Sequence, residues 1–137
     1  MIRLLIADDH LLVRESLKHL CAVYGGLLPV GEAANGVEVM ELLSALEVDL
    51  VLMDMNMPDL SGEKLIARIR ALYPELPILV FSLLNHPAVA RRALRAGANG
   101  FLVKGGDPDT LVDVLHRVAA GERFLDSSVA EPALDLR

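Results

Sequence analysis

The sequence predicts an α/β domain, a doubly wound (βα)5 fold around a five-stranded parallel sheet. Three observations carry that prediction. Strand-like and helix-like segments alternate five times between Ile2 and Gly121. The strand-like runs, such as Ile78 to Phe81, are apolar at every position, as strands covered on both faces are. The connections are short, so each strand–helix–strand unit should be a right-handed crossover.

Each element has its own signal. Ile2 to Ala7 reads as a buried strand, and Leu12, Val13, Ser16, Leu17, Leu20, Cys21 and Tyr24 then recur at helical spacing. Gly25-Gly26 should end that helix. Pro29 to Ala33 is a short strand. Asn35 followed by Glu38 has the form of a capping box, opening a helix through Met40, Leu43 and Leu46. Leu50 to Met53 is the third strand and runs into Asp54. Leu65, Ile69 and Leu72 define a third helix that stops before Pro74. Pro77 to Phe81 is the fourth strand, and Pro87 opens a helix that runs to Gly97. Gly100 to Val103 is the fifth strand. Asp107-Pro108 caps a last helix with Leu111, Leu115 and Val118 facing inward, closed by Gly121. Residues 1–121 are therefore expected to form one domain. Residues 122–137 are expected to form a turn and the start of a linker, around Glu131-Pro132.

Composition narrows the function. The chain has 137 residues, room for one compact domain. It is 53% hydrophobic but only 4% aromatic, and its apolar runs are strand-sized. They fall far short of the ~18–20 residues of a spanning helix. Met1-Ile2-Arg3-Leu4-Leu5-Ile6 runs directly into Asp8 and Asp9, without the parts of a signal peptide, so a cytoplasmic location is expected. The single cysteine, Cys21, excludes an internal disulfide, a CxxC redox pair and a cysteine-rich zinc site. It reads as an inert core residue. The net charge of −6 argues against direct nucleic-acid binding by this chain.

The chemistry-bearing residues fall on one rim. Asp8 and Asp9 follow strand one, Asp54 ends strand three, Ser82 follows strand four and Lys104 follows strand five. These are carboxyl ends of strands, where open α/β sheets bind ligands. In the flavodoxin-like order 2-1-3-4-5, strands one and three are neighbours and the three aspartates converge. Two unit charges 4 Å apart interact by roughly 4 kcal/mol at an effective dielectric near 20. Such a cluster requires a cation or a protonated acid. Oxygen donors and the lack of a Cys or His cluster favour Mg²⁺ over zinc.

These residues resemble the response-regulator receiver family. The matching pieces are Asp8-Asp9, the stretch Asp54-Met55-Asn56-Met57-Pro58-Asp59-Leu60-Ser61-Gly62, Ser82, and Phe101 three residues before Lys104. The start Ala7-Asp8-Asp9-His10 and the segment Ala119-Ala120-Gly121-Glu122-Arg123-Phe124-Leu125 are similar to the NarL/FixJ subfamily, whose members carry a LuxR-type DNA-binding output. The resemblance implies that Asp54 takes a phosphoryl group from the phosphohistidine of a sensor kinase. It implies that Asp9, Asp54 and the Asn56 carbonyl bind Mg²⁺, with Asp8 acting mainly through a metal-bound water. Ser82 and Lys104 would contact phosphoryl oxygens, and Ser82 and Phe101 would move as a switch. Catalysis would be limited to the domain's own phosphorylation and dephosphorylation. A homodimer would form on phosphorylation, and DNA would be bound only through an output domain outside this chain. The tail Asp135-Leu136-Arg137 reads as part of a linker in a longer protein.

Some positions depart from the family pattern. Gly105 follows Lys104 where many receivers have a cis proline, and a cis bond is not expected here because it costs ~3–4 kcal/mol without proline. Phe101 lacks the hydroxyl of the more frequent Tyr. Leu83 is bulkier than the small residue often found after the serine. Asp59 and Asp107 read as turn and cap residues. His10 reads as a helix-start residue beside the site, and His19, His86 and His116 as surface residues. Arg91, Arg92 and Arg95 make one helix basic, while Asp107, Asp109 and Asp113 make the next acidic. The default reading is two solvated faces, and the sharper one a partner surface. Two other functions compete: a phosphorylation-independent interaction module, which Leu83 and Gly105 favour, and a hydrolase of small phosphate esters. The Asp54-Met55-Asn56 stretch lacks the second acid that a dehalogenase-type phosphatase would carry.

Overall fold

A computed structural model describes residues 1–130. Its elements run β1 (Ile2–Ala7), α1 (Leu11–Tyr24), β2 (Leu27–Ala33), α2 (Gly36–Ala45), β3 (Leu50–Met53), α3 (Gly62–Leu72), β4 (Ile78–Ser82), α4 (Pro87–Ala96), β5 (Gly100–Val103), α5 (Pro108–Ala119) and β6 (Phe124–Leu125), with a 3-10 turn at Ser127–Val129. The sheet order is β2-β1-β3-β4-β5-β6, and every pairing is parallel. The expected five-strand order is present.

Apolar side chains leave the strands alternately to the two faces, and both faces are dry. Leu5, Ala7, Val51, Met53, Val80 and Phe101 enter one core under α2, α3 and α4. Leu4, Ile6, Leu50, Leu52, Leu79 and Leu102 enter the other under α1 and α5. This is why the strand segments read as unbroken apolar runs. Burying a Leu or Ile fully contributes about 1.5–3 kcal/mol, so these two layers hold the sheet ends in place for the site above.

The caps behave as their chemistry requires. Asn35 accepts from the Glu38 N–H at 2.9 Å, and Glu38 reaches back to the Ala34 N–H at 2.7 Å, one residue before the capping-box position. Asp107 accepts from the Asp109 N–H at 3.0 Å. Gly25, at φ 73°, ends α1.

The structure corrects the sequence reading in three places. The sheet has a sixth strand. The chain turns at Gly121, φ 99°, and Phe124–Leu125 pairs with β5, so the segment after Gly121 is more than a turn. Two residues are too few to show alternation, and Val129 behind them is fully buried in the core. β2 begins at Leu27, two residues before Pro29. It is an edge strand, where the missing proline N–H costs little, and the register shifts between Leu4 and Leu5 opposite Pro29 and Gly31. Several helical positions of the apolar pattern stay exposed, among them Leu12 at 81% and Leu72 at 62%. The linker expected around Glu131-Pro132 and the tail to Arg137 lie outside the described residues. No peptide bond among the described residues is cis.

Candidate functional site

The rim at the carboxyl ends of β1, β3, β4 and β5 collects almost all the residues singled out above. β1 and β3 are direct neighbours, pairing Ala7 with Met53, so the residues that follow them, Asp8 and Asp54, sit side by side. The backbone knits them: the Asp54 N–H donates to the Ala7 carbonyl at 2.9 Å. β4 and β5 end together, with Ser82 paired to Val103 and the Lys104 N–H donating to the Ser82 carbonyl at 2.8 Å. Lys104 therefore faces the aspartates from across β4.

Its Nζ lies 2.7 Å from Asp8 Oδ2 and 3.6 Å from Asp54 Oδ2. Asp8 is 3% and Asp54 8% exposed. Asp8, Asp9, His10 and Asp54 each bring one ligand atom to within 4.8 Å of the others. The fifth wall is Ser82, fully buried, whose Oγ accepts from the Leu84 N–H at 3.1 Å. Asp9, Asp54, Asn56, Ser82, Leu83 and Leu84 line a cleft of about 480 Å³. Phe101 is fully buried in the core on the α3–α4 side, beneath this rim.

The carboxylates are not equivalent. Burial pushes Asp54 up from its ordinary value, against the attraction of Lys104 and with the repulsion of Asp8. Burial acts the same way on Asp8, but the Lys104 ammonium and the His10 backbone and ring outweigh it and hold Asp8 below its ordinary value. So Asp8 is the firmly ionised partner of Lys104, and Asp54 is the costlier anion.

The sequence missed the detail of His10. It is the N-cap of α1, as a helix-start residue should be. Its Nδ1 also approaches Asp8 Oδ1 at 2.9 Å and Asp9 Oδ1 at 3.2 Å, and the bond to Asp8 with the two acidic charges raises its pKa. The sequence also missed Arg14, which reaches the main chain of Asp8. A lone arginine on a helix carries no signal for such a contact. Asp59, at φ 64°, and Asp107 are the turn and cap residues expected. His19, His86 and His116 are exposed.

A parallel sheet with clustered aspartates and a lysine at its switch point has the architecture of open α/β domains that bind ligands at this rim. Comparison with known proteins makes this specific. Residues 4–116 match the family model for the response regulator receiver domain, and the chain belongs to that family. It is 37% identical over 126 residues to the nitrate/nitrite response regulator protein NarL of Escherichia coli K12, covering 92% of this chain and 58% of NarL. It is 31% identical over 131 residues to the response regulator GacA of Pseudomonas aeruginosa, covering 96% of this chain and 61% of GacA. The chain thus spans about three fifths of these relatives' length. A LuxR-family two-component response regulator from Aurantimonas superposes with a TM-score of 0.89 at 32% identity, covering 94% of this chain and 92% of that one. The isolated receiver domain of RcsB from Salmonella enterica, solved with the phosphomimetic BeF3⁻, superposes at 0.85 and 27% identity, with coverages of 93% and 95%.

Proposed function

We propose that this receiver domain is switched by phosphorylation of Asp54, with a phosphohistidine on a sensor kinase as donor. The observation that carries the reading is the placement of the Lys104 ammonium within reach of both Asp8, at 2.7 Å, and Asp54, at 3.6 Å. In the transfer, an Asp54 carboxylate oxygen bonds to phosphorus as the phosphorus–nitrogen bond to histidine breaks, and the imidazole leaves with its electron pair. Little covalent work falls to the protein beyond the attack, so positioning and charge balance dominate. Lys104 balances one phosphoryl oxygen. The Ser82 hydroxyl keeps its proton to donate to another, because in this arrangement its oxygen acts as acceptor towards Leu84.

The donor set fits Mg²⁺. The oxygens of Asp8, Asp9 and Asp54 are hard donors, the one nitrogen of the cluster, His10 Nδ1, is engaged by Asp8 and Asp9, and the three clustered carboxylates leave an excess of negative charge that Lys104 alone does not cancel. Asp9, Asp54 and the Asn56 carbonyl would hold the ion, with Asp8 acting through water. When bound, the ion neutralises charge on the phosphoryl oxygens.

Added charge on Asp54 would draw Ser82 and its loop inward, with Phe101 packed beneath as the responding aromatic. A homodimer on phosphorylation, and control of DNA through an output domain outside this chain, complete the reading. RcsB supplies the analogy, since one of its solved structures holds two RcsB dimers bound to two parallel DNAs. The receiver would extend past residue 121 to include β6 and Val129, which complete its sheet and core, and the chain beyond would lead to that output. A cytoplasmic setting is part of the proposal; no helix among the described residues is long and apolar enough to cross a membrane. The test is NMR with beryllofluoride and Mg²⁺. Amide shifts at positions 54, 82 and 104 that need both reagents support the reading, and an unchanged spectrum contradicts it.

A further inference from the structure

The phosphoryl chemistry leaves Arg14 without a role, yet its side chain is built into the turn that carries Asp8 and Asp9. Arg14 lies in the first turns of α1, and its side chain is 15% exposed. Its Nη1 donates to the Asp8 carbonyl at 2.5 Å, and its Nε donates to Glu32 Oε1 at 3.1 Å. Glu32 stands on β2 in register with Ile6, and Lys18 Nζ holds its other oxygen at 2.8 Å. Lys18 also pairs with Glu15 at 2.9 Å. On its other side the Asp8 main chain is tied down as well, its N–H donating to the Ala33 carbonyl at 3.0 Å.

The Asp8 carbonyl belongs to the peptide that joins Asp8 to Asp9. Rotation of that peptide would swing the Asp9 carboxylate, which is a third exposed, relative to the buried carboxylate of Asp8. We propose that Arg14, braced by Glu32, is a positioning residue for the divalent-cation site: by holding the Asp8–Asp9 peptide it sets the separation at which the acidic groups meet the ion. This rests on the reading of Asp8 and Asp9 as cation-binding.

The proposal has a sign that separates it from plain electrostatics. A guanidinium beside an acidic cleft repels a dication, so if only its charge mattered, deleting it would tighten Mg²⁺ binding. If its grip on the carbonyl matters, deleting it loosens binding. Groups that orient metal ligands typically account for 10–100-fold in affinity.

The experiment is calorimetric titration of Mg²⁺ into residues 1–137, with the thermal midpoint of each variant taken without Mg²⁺. Arg14→Met is expected to bind Mg²⁺ about tenfold more weakly. Arg14→Lys should recover part of that loss, because one ammonium can reach the carbonyl but cannot bridge to Glu32 with a planar fork. Glu32→Gln, which leaves every pocket residue intact, should also weaken binding. Lys18→Met removes an ion pair on the same glutamate but leaves Arg14 in place, so its affinity should match wild type. Equal or tighter Mg²⁺ binding by Arg14→Met overturns the proposal. Should Arg14→Met not fold, wild-type affinity in Glu32→Gln overturns it. A wild-type chain that binds no Mg²⁺ refutes instead the reading of the pocket itself.

Discussion

The Lys104 ammonium sits closer to Asp8, at 2.7 Å, than to Asp54, at 3.6 Å. The lysine therefore serves first as the counter-ion of an acid that is not the proposed phosphate acceptor. Asp54 is left as a buried carboxylate with partial compensation, and its pKa is pushed up by burial and by Asp8.

That asymmetry predicts a stability change. A carboxyl whose folded pKa exceeds its unfolded value favours folding while it is protonated, and that contribution fades as pH rises through the folded value. At pH 7 the ionised Asp54 thus costs stability. Asp54→Asn should raise the thermal midpoint at pH 7 without Mg²⁺, by about 1 kcal/mol or roughly 4 °C for a domain of this size. The difference should shrink as pH falls below the range where Asp54 ionises. Calorimetric scans across pH check this.

Asp49 has the opposite sign. It accepts from the Arg3 N–H at 2.7 Å, from Nε at 3.0 Å and from Nη2 at 3.0 Å, and these bonds to Arg3 lower its pKa to about 2. The stabilisation is present above the unfolded value of about 3.8 and is lost as pH falls towards about 2. Asp49→Asn should therefore lower the melting temperature at neutral pH and match wild type near pH 2. The effect is modest because the pair is about a third exposed.

The cleft mouth predicts a kinetic change. Leu83 is 73% exposed and lines the cleft beside Asp54. Leu83→Ala opens the path of water to the acyl phosphate. Its phosphorylated form should decay faster than wild type, by roughly threefold. Decay followed on phosphate-affinity gels checks this, and an unchanged lifetime removes Leu83 from the account.

The C-terminal strap predicts a packing effect. Asp126 accepts from the Val103 N–H and the Ser128 N–H, each at 2.9 Å, and its own N–H donates to the Phe101 carbonyl at 2.9 Å. It clasps β5 at Phe101 and Val103. Asp126→Ala strands the Val103 donor, at a cost of about 1–3 kcal/mol. Asp126→Asn should recover part of the loss in urea unfolding, because it keeps one acceptor oxygen.

The legible parts of this molecule are those fixed by local or periodic chemistry. Leu50 to Met53 announced a buried strand because both of its faces are dry. Asp8, Asp9, Asp54, Ser82 and Lys104 were readable because they end or directly follow strands, and the sheet order then brought them to one rim. β6 was not readable, since its stability comes from the edge of β5 and from burial of the nearby Val129 in a core built by elements distant in sequence. Nor was the Arg14 contact with the Asp8 carbonyl, which depends on a helix facing back onto the turn before it.

The most direct test of the central claim is intact-mass analysis after incubation with acetyl phosphate. With Mg²⁺, the wild-type chain should gain a single phosphoryl group; without Mg²⁺, or in Asp54→Asn with Mg²⁺, it should gain none. An adduct of the same yield on Asp54→Asn, or one formed equally well without the ion, would contradict the account.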